Sequence, residues 1–328
     1  MPGLKRGRII LTAIVLLAAG LFCLVFLRYR RDIHRARERV STGSTVVETP
    51  CGPIEYATAG EGRPVLVVHG AGGGFDQGIY LSRPLAANGF RVIAMSRFGY
   101  LRTPLMADSS AAAQAKAHAC LLDALNTPRV AVVGASAGAP SSMQFALRYP
   151  ERTAALVLLV PAAYPFHIRQ RPAGAMPERT STETRFLFDT ALKSDFLFWL
   201  APRIARRTVV RAILGTPPWV VERASADEQA RVAGVLARIL PVAPRRLGLL
   251  NDAAITSSLP RYDLERITAP TLIVSFPDDL FGTYEGARYS AEYVPGARFI
   301  SYPSGGHLWV GHQEELMRQI ADFLRKAA

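Results

Sequence analysis

The run Val130-Ala131-Val132-Val133-Gly134-Ala135-Ser136-Ala137-Gly138 constrains this chain more than any other. Four consecutive apolar residues, most of them β-branched, read as a strand buried on both faces. The residues after Gly138 carry a helical pattern to Arg148. A strand passing into a helix within so few residues forces a sharp turn, and only small neighbours fit around the residue at its apex. Ala135, Ala137 and Gly138 meet that demand. A serine there is pushed clear of the backbone in front of a helix N-terminus, whose free N–H groups and positive dipole suit a developing oxyanion. Ser136 is therefore the candidate nucleophile.

Other groups needed for such chemistry follow in order. Val65 to Gly74 is a strand ending in His69-Gly70-Ala71-Gly72-Gly73-Gly74. A phosphate cradle is the rival reading of this glycine turn, but no Gly-Lys-Ser/Thr follows and Phe75 occupies the last position of a Gly-x-Gly-x-x-Gly. The turn is expected to aim the Ala71 N–H, together with that of Ala137, at the oxyanion, while His69 fixes the loop. A general base is expected late in the chain. His34 falls in the N-terminal region, His118 inside a helix and His167 in a helical insertion, which leaves His307 and His312. His307 follows the glycine turn Ser304-Gly305-Gly306 and is preferred; His312 opens the last helix. The pair lacks the third ligand and the spacing of a metal site. Thr271 to Phe276 is a strand leading to Asp278 and Asp279, of which Asp279 is the expected acid and Asp278 the fallback.

The rest of the chain alternates short apolar runs with helical stretches, the pattern of a mostly parallel sheet wrapped by helices. Strands are expected at 46–48, 54–57, 64–69, 91–95, 130–134, 154–160, 271–276 and 298–302, and helices at 81–88, 111–125, 137–148, 284–294 and 313–326. Between about 163 and 266 no strand pattern occurs, which reads as an inserted helical cap. Its aromatics Phe166, Phe186, Phe188, Phe196, Phe198, Trp199 and Trp219 are candidates for lining a substrate pocket or for packing the cap onto the core.

Ile9 to Leu27 is nineteen residues without a charge, roughly 28 Å as a helix, bracketed by basic residues. A membrane anchor is favoured over a cleaved signal, because Arg28-Tyr29-Arg30-Arg31 follows at once instead of a small-x-small site. The domains expected are thus 1–43 (anchor and basic tether), 44–162 and 267–328 (the two parts of the α/β core) and 163–266 (cap). The Arg excess after the span favours a cytoplasmic catalytic domain. Net charge is +13, of which residues 1–40 supply +7, so the basicity points to lipid headgroups before nucleic acid, and no nucleic-acid partner is expected. Arg203–Arg211 and Arg245-Arg246 read as a solvated face. Of the three cysteines, Cys51 and Cys120 would bond only in an oxidising compartment, and three free thiols are expected.

The ordered set His69-Gly70, Ser96-Arg97-Phe98-Gly99-Tyr100, Gly134-x-Ser136-x-Gly138, Asp279 and Gly306-His307 resembles the α/β-hydrolase superfamily, in its capped esterase, haloperoxidase-like and meta-cleavage-product hydrolase branches. The resemblance runs from about Ser44 to the C-terminus. It implies an eight-stranded, mostly parallel sheet, a helical cap between strands six and seven, and no cofactor. Two positions depart from the usual pattern: Ala139 stands where many relatives have a further Gly, and Ser-Phe-Pro-Asp-Asp replaces a glycine-containing turn before the acid. A serine at the elbow argues against epoxide-hydrolase and haloalkane-dehalogenase chemistry, which need a carboxylate nucleophile. The expected function is cleavage of an ester-like bond in a small or lipophilic molecule through an acyl-enzyme on Ser136. The alternatives are carbon–carbon bond hydrolysis of the meta-cleavage type, with Arg169 and Arg171 as carboxylate contacts, and a catalytically weak membrane-tethered ligand sensor.

Overall fold

The computed structural model describes residues 2–164 and 193–327. Eight strands, β1 (Thr45–Thr49), β2 (Gly52–Ala59), β3 (Arg63–Val68), β4 (Phe90–Met95), β5 (Val130–Ala135), β6 (Thr153–Leu159), β7 (Thr271–Ser275) and β8 (Arg298–Ser301), form one sheet in the order β1-β2-β4-β3-β5-β6-β7-β8. β1 and β2 are a hairpin, β2 runs antiparallel to β4, and every other pairing is parallel. All eight expected strands are present, their ends shifted by at most two residues.

Side-chain alternation along the parallel strands explains why both faces are covered. Leu66, Ile93, Val132, Leu156 and Ile273 point into one buried cluster, which α3 (Ala111–Ala124), α4 (Ala139–Arg148) and α10 (Thr283–Tyr293) complete. Their neighbours Val65, Val92, Val133, Val157 and Leu272 point the other way, against α2 (Phe75–Ala87) and α11 (Gln313–Lys326). Strand order reverses at β3, which pairs with β4 on one side and β5 on the other. A crevice opens at the carboxyl ends of strands that diverge in this way.

Helices α5 (Asp195–Ile204), α6 (Arg206–Ile213), α7 (Pro218–Arg223), α8 (Ala226–Ala237) and α9 (Arg246–Ser257) fill the described interval between β6 and β7 and form the cap. Arg245 is fully buried there, not part of a solvated face as its sequence suggested, because Asp76 and the Gly73 carbonyl at the core neutralise and satisfy it.

Helix α1 runs unbroken from Pro2–Thr42. Its apolar part is exposed except at Val25, which packs partly against the cap; with a window of mean hydropathy 3.0 it is long and apolar enough to cross a membrane. Its polar half is more than a tether. Ile33 and Ala36 are buried against Phe198, Trp199 and Val210 of the cap. The Trp199 indole N–H donates to Asp32 at 2.9 Å, and Arg37 reaches Asp195 at 3.3 Å.

Cys51, in the β1–β2 turn, and Cys120, on α3, form a disulfide with their Cα atoms 6.1 Å apart, which corrects the expectation of three free thiols. The turn folds over α3, a proximity that a separation of 69 residues hides from the sequence. Cys23 is free and exposed.

Candidate active site

Ser136 sits where β5 ends, with φ at 50°, in the left-handed region that a non-glycine residue enters at a cost of about 1–3 kcal/mol. Ala135 before it is still extended, and residues 136–138 form a helical turn leading into α4. The flanking glycines are required by close approach. A Cβ on Gly134 would lie 2.3 Å from Ser142 Oγ, and one on Gly138 would lie 2.5 Å from the Val68 carbonyl and 2.6 Å from that of His69. Ala139 is fully buried at the start of α4.

The loop after β3 is held from several sides. His69 is buried; its Nε2 accepts the Arg97 backbone N–H at 3.1 Å, so Nδ1 carries the proton and donates to the Gly70 carbonyl at 2.7 Å. Burial and the Arg97 guanidinium hold its pKa well below 6.5, so the ring is neutral. Its geometry is that of a group fixing the loop. The Gly72 N–H donates to Tyr100 Oη at 3.1 Å, and Arg245 binds the Gly73 carbonyl. Ala71 and Ala137 line the same cavity as Ser136.

Beyond β7, Asp279 accepts from His307 Nδ1 at 2.8 Å through Oδ2, while Oδ1 takes the Phe281 N–H at 2.9 Å and the Thr283 hydroxyl donates to Oδ2. Asp278 points elsewhere: it accepts the Gly305 and Gly306 N–H groups at 3.1 and 2.8 Å, bracing the turn that delivers His307. His312 is occupied with the Ser304 carbonyl. Ser136 and His307 face one cavity of about 470 Å³ without a direct hydrogen bond between them.

That cavity is walled by Ile213, Leu214, Val235, Ile239 and Leu249 from the cap and by Leu280, Phe281, Leu308 and Trp309 from the core. Of the seven cap aromatics singled out in the sequence, the four among the described residues, Phe196, Phe198, Trp199 and Trp219, do not line it. Phe196, Phe198 and Trp199 pack against α1, Trp219 is 45% exposed, and Phe166, Phe186 and Phe188 lie outside the described residues, as do His167, Arg169 and Arg171.

Asp252 on α9 is a site group that sequence reasoning missed. It lines the cavity, takes a two-pronged ion pair from Arg97 at 2.6 Å and accepts from Tyr100 Oη at 2.5 Å. Burial and the Asp252 carboxylate raise the Tyr100 pKa well above 10, which keeps that phenol a donor. Arg97 and Asp252 stand 155 residues apart, so no local pattern joins them.

A strand–serine–helix elbow, a histidine braced by the aspartate after β7, and a crevice under a helical cap describe one class of protein. The chain belongs to the α/β-hydrolase fold family, whose model matches residues 63–310. The uncharacterized hydrolase YcgS of Bacillus subtilis is 27% identical over 80% of this chain and 91% of that one. A 2-hydroxy-6-oxononadienedioate/2-hydroxy-6-oxononatrienedioate hydrolase of Dechloromonas aromatica is 26% identical over 83% and 90%. Among solved structures, an α/β-hydrolase fold protein from Nakamurella multipartita superposes with a TM-score of 0.66 at 27% identity, covering 87% of this chain and all of the other. An esterase from Exiguobacterium antarcticum shares the fold at a TM-score of 0.62 and 19% identity, over 86% and 99%.

Proposed function

We propose that this hydrolase cleaves carboxylic esters of small or lipophilic alcohols and acids through an acyl-enzyme on Ser136. The observation that carries this reading is the shared cavity: Ser136 at a strained elbow faces His307, whose far nitrogen is held by Asp279. In this mechanism His307 takes the Ser136 proton as Oγ attacks the carbonyl, and the Ala71 and Ala137 N–H groups receive the oxyanion. His307 then protonates the leaving alcohol, and a water activated by the same ring releases the acid. Seating a carbonyl between the oxyanion donors and Ser136 brings Oγ and His307 into hydrogen-bond contact, a contact that commonly tightens only with substrate.

The resemblance to dienedioate hydrolases favours a second reading, carbon–carbon bond cleavage. Against it stands the lining of the cavity. Among the described residues its lining is largely apolar and its one carboxylate, Asp252, is paired with Arg97, which supports the ester reading; Arg169 and Arg171, the carboxylate contacts of the second reading, lie outside the described residues. Labelling with a fluorophosphonate tests the nucleophile: modification at Ser136, lost in Ser136→Ala, is expected, and an unlabelled folded protein overturns the proposal in favour of a ligand sensor. A panel of p-nitrophenyl esters set beside a 2-hydroxy-6-oxo-dienoate then separates the two reactions, with ester turnover expected.

We further propose that α1 anchors the protein in a bilayer with the catalytic domain on the oxidising side. The Cys51–Cys120 bond supports that side against the cytoplasmic one that the Arg excess favours. Part of that excess is spent internally: Arg37 and Arg39 are paired with Asp195 and Asp76.

A further inference from the structure

A second cavity, of about 440 Å³, lies away from Ser136, between the polar half of α1 and the cap helices α5, α6 and α8. Its floor is apolar, formed by Ala36, Phe198, Val210 and Leu236. The polar lining at its rim is Arg35, Arg39, Arg203 and Arg206 against a single carboxylate, Asp32, and Arg39 is taken up by Asp76. Arg203 is anchored by stacking on Trp199 at 3.9 Å and by Asp32 at 3.0 Å. Arg35 and Arg206 are exposed and make no side-chain hydrogen bond or ion pair among the described residues. Two exposed guanidinium groups without a protein partner among the described residues, and a third fixed by Asp32, thus stand over an apolar trough.

The place of this cleft along α1 decides what would fill it. At about 1.5 Å per residue, Asp32 and Arg35 follow Leu27, the last apolar residue of the run, by roughly 8 and 12 Å. The headgroup layer of a bilayer spanned by Ile9–Leu27 reaches about 5–8 Å beyond the hydrocarbon, so Asp32 stands at its edge and Arg35 a few ångström outside it, and a lipid seated in the cleft is drawn part-way out of its leaflet. Ile204, at the end of α5 beside the rim, is 74% exposed. A phosphate group with hydrocarbon attached satisfies rim and floor together; a free inorganic anion would leave the floor wet.

We propose that this cleft binds an anionic phospholipid of the surrounding membrane, its phosphate held by Arg35, Arg203 and Arg206 and part of an acyl chain lying on Ala36, Phe198 and Val210. The proposal rests on the membrane-anchor reading of α1, and the test separates the two. The full-length protein is placed in nanodiscs of phosphatidylcholine with and without phosphatidylglycerol, and retained lipid is counted by native mass spectrometry after release. Retention of phosphatidylglycerol over phosphatidylcholine is expected, falling on the order of tenfold in the Arg35→Ala/Arg206→Ala double variant. The thermal midpoint of that variant is measured alongside, and is expected to hold because both side chains are exposed. Equal retention of the two lipids, retention unaltered in the double variant, or displacement of the lipid by inorganic phosphate alone would each overturn the cleft assignment. Alkaline carbonate extraction of membranes reads the anchor independently. A chain that washes off, yet still retains phosphatidylglycerol when the lipid is added in detergent micelles, loses the span and keeps the cleft.

Discussion

Two adjacent carboxylates after β7 do different work. Asp279 meets His307 Nδ1 directly, so replacing it with Asn is expected to present the wrong tautomer and lower kcat by on the order of 10³ to 10⁴ with KM little changed. Asp278 touches no ring; it holds the Gly305 and Gly306 N–H groups. Asp278→Asn should cost far less activity and should act by loosening the His307 turn, visible as a lower thermal midpoint. Steady-state kinetics on both variants checks the division, and equal losses would contradict it.

Away from the serine, His118 is buried between Met95 and Ser141, and desolvation together with Arg97 lowers its pKa from 6.5 to about 3. In the unfolded chain this ring protonates near 6.5, whereas in the folded protein it does not until about 3. The unfolded state therefore binds more protons below pH 6.5, and stability falls as pH falls, by about 1.4 kcal/mol per unit for each such histidine. His69, lowered for the same reasons, adds to the trend. The urea midpoint should be flat above pH 6.5 and decline between 6.5 and 5, before most carboxylates titrate. His118→Asn should remove part of that slope.

The candidate site residues that the sequence makes legible are those written into a local turn: Ser136 between small neighbours, His307 behind two glycines, Asp279 at a strand end. Asp252 and Arg97 were illegible as a pair, because their partnership exists only once the cap closes on the core.

At the level of elements, the cap is fastened to the core by buried charge. Arg97 at the end of β4 holds Asp252 of α9, and Arg245 before α9 holds Asp76 of α2 at 3.0 Å. Removing one member of such a pair strands the other. Asp252→Ala is expected to lower the unfolding free energy by about 3–5 kcal/mol, read by chemical denaturation, while the Arg97→Met/Asp252→Leu double change should cost less than the single one. Both pairs also touch the loop opposite Ser136, through Tyr100 to Gly72 and through Arg245 to Gly73. A cap substitution here should therefore reduce kcat as well as stability.

The strands were readable because burial on both faces writes itself as continuous Val, Leu and Ile. The start of α2 was not: it begins at Phe75, six residues before the helical pattern becomes visible, because Phe75, Asp76, Gln77 and Gly78 are buried for contacts with distant residues and carry no periodic polar face. The cap aromatics misled for a related reason. An apolar pattern does not say what a side chain packs against, and the partner of the buried Phe198 and Trp199 is α1.

For the whole molecule, the disulfide and the charge pattern along α1 make opposing statements about orientation, and a pair of measurements decides between them. Non-reducing electrophoresis of protein taken from cells under alkylating conditions should show Cys51 and Cys120 blocked from labelling and Cys23 alone available after solubilisation. In sealed right-side-out vesicles, added protease should reach the catalytic domain; full protection would place it in the cytoplasm and leave the two cysteines reduced.

The contact between α1 and the cap also decides where this protein can be cut. Removing residues 1–43 to obtain a water-soluble enzyme would strip Ile33, Ala36 and Tyr29 from Phe196, Phe198 and Trp199, leaving an oily scar on the cap. Such a shortened chain should self-associate and inactivate on storage. Trimming instead just after Leu27 keeps the docked half of the helix, and size-exclusion chromatography of the two products should show the longer one monodisperse.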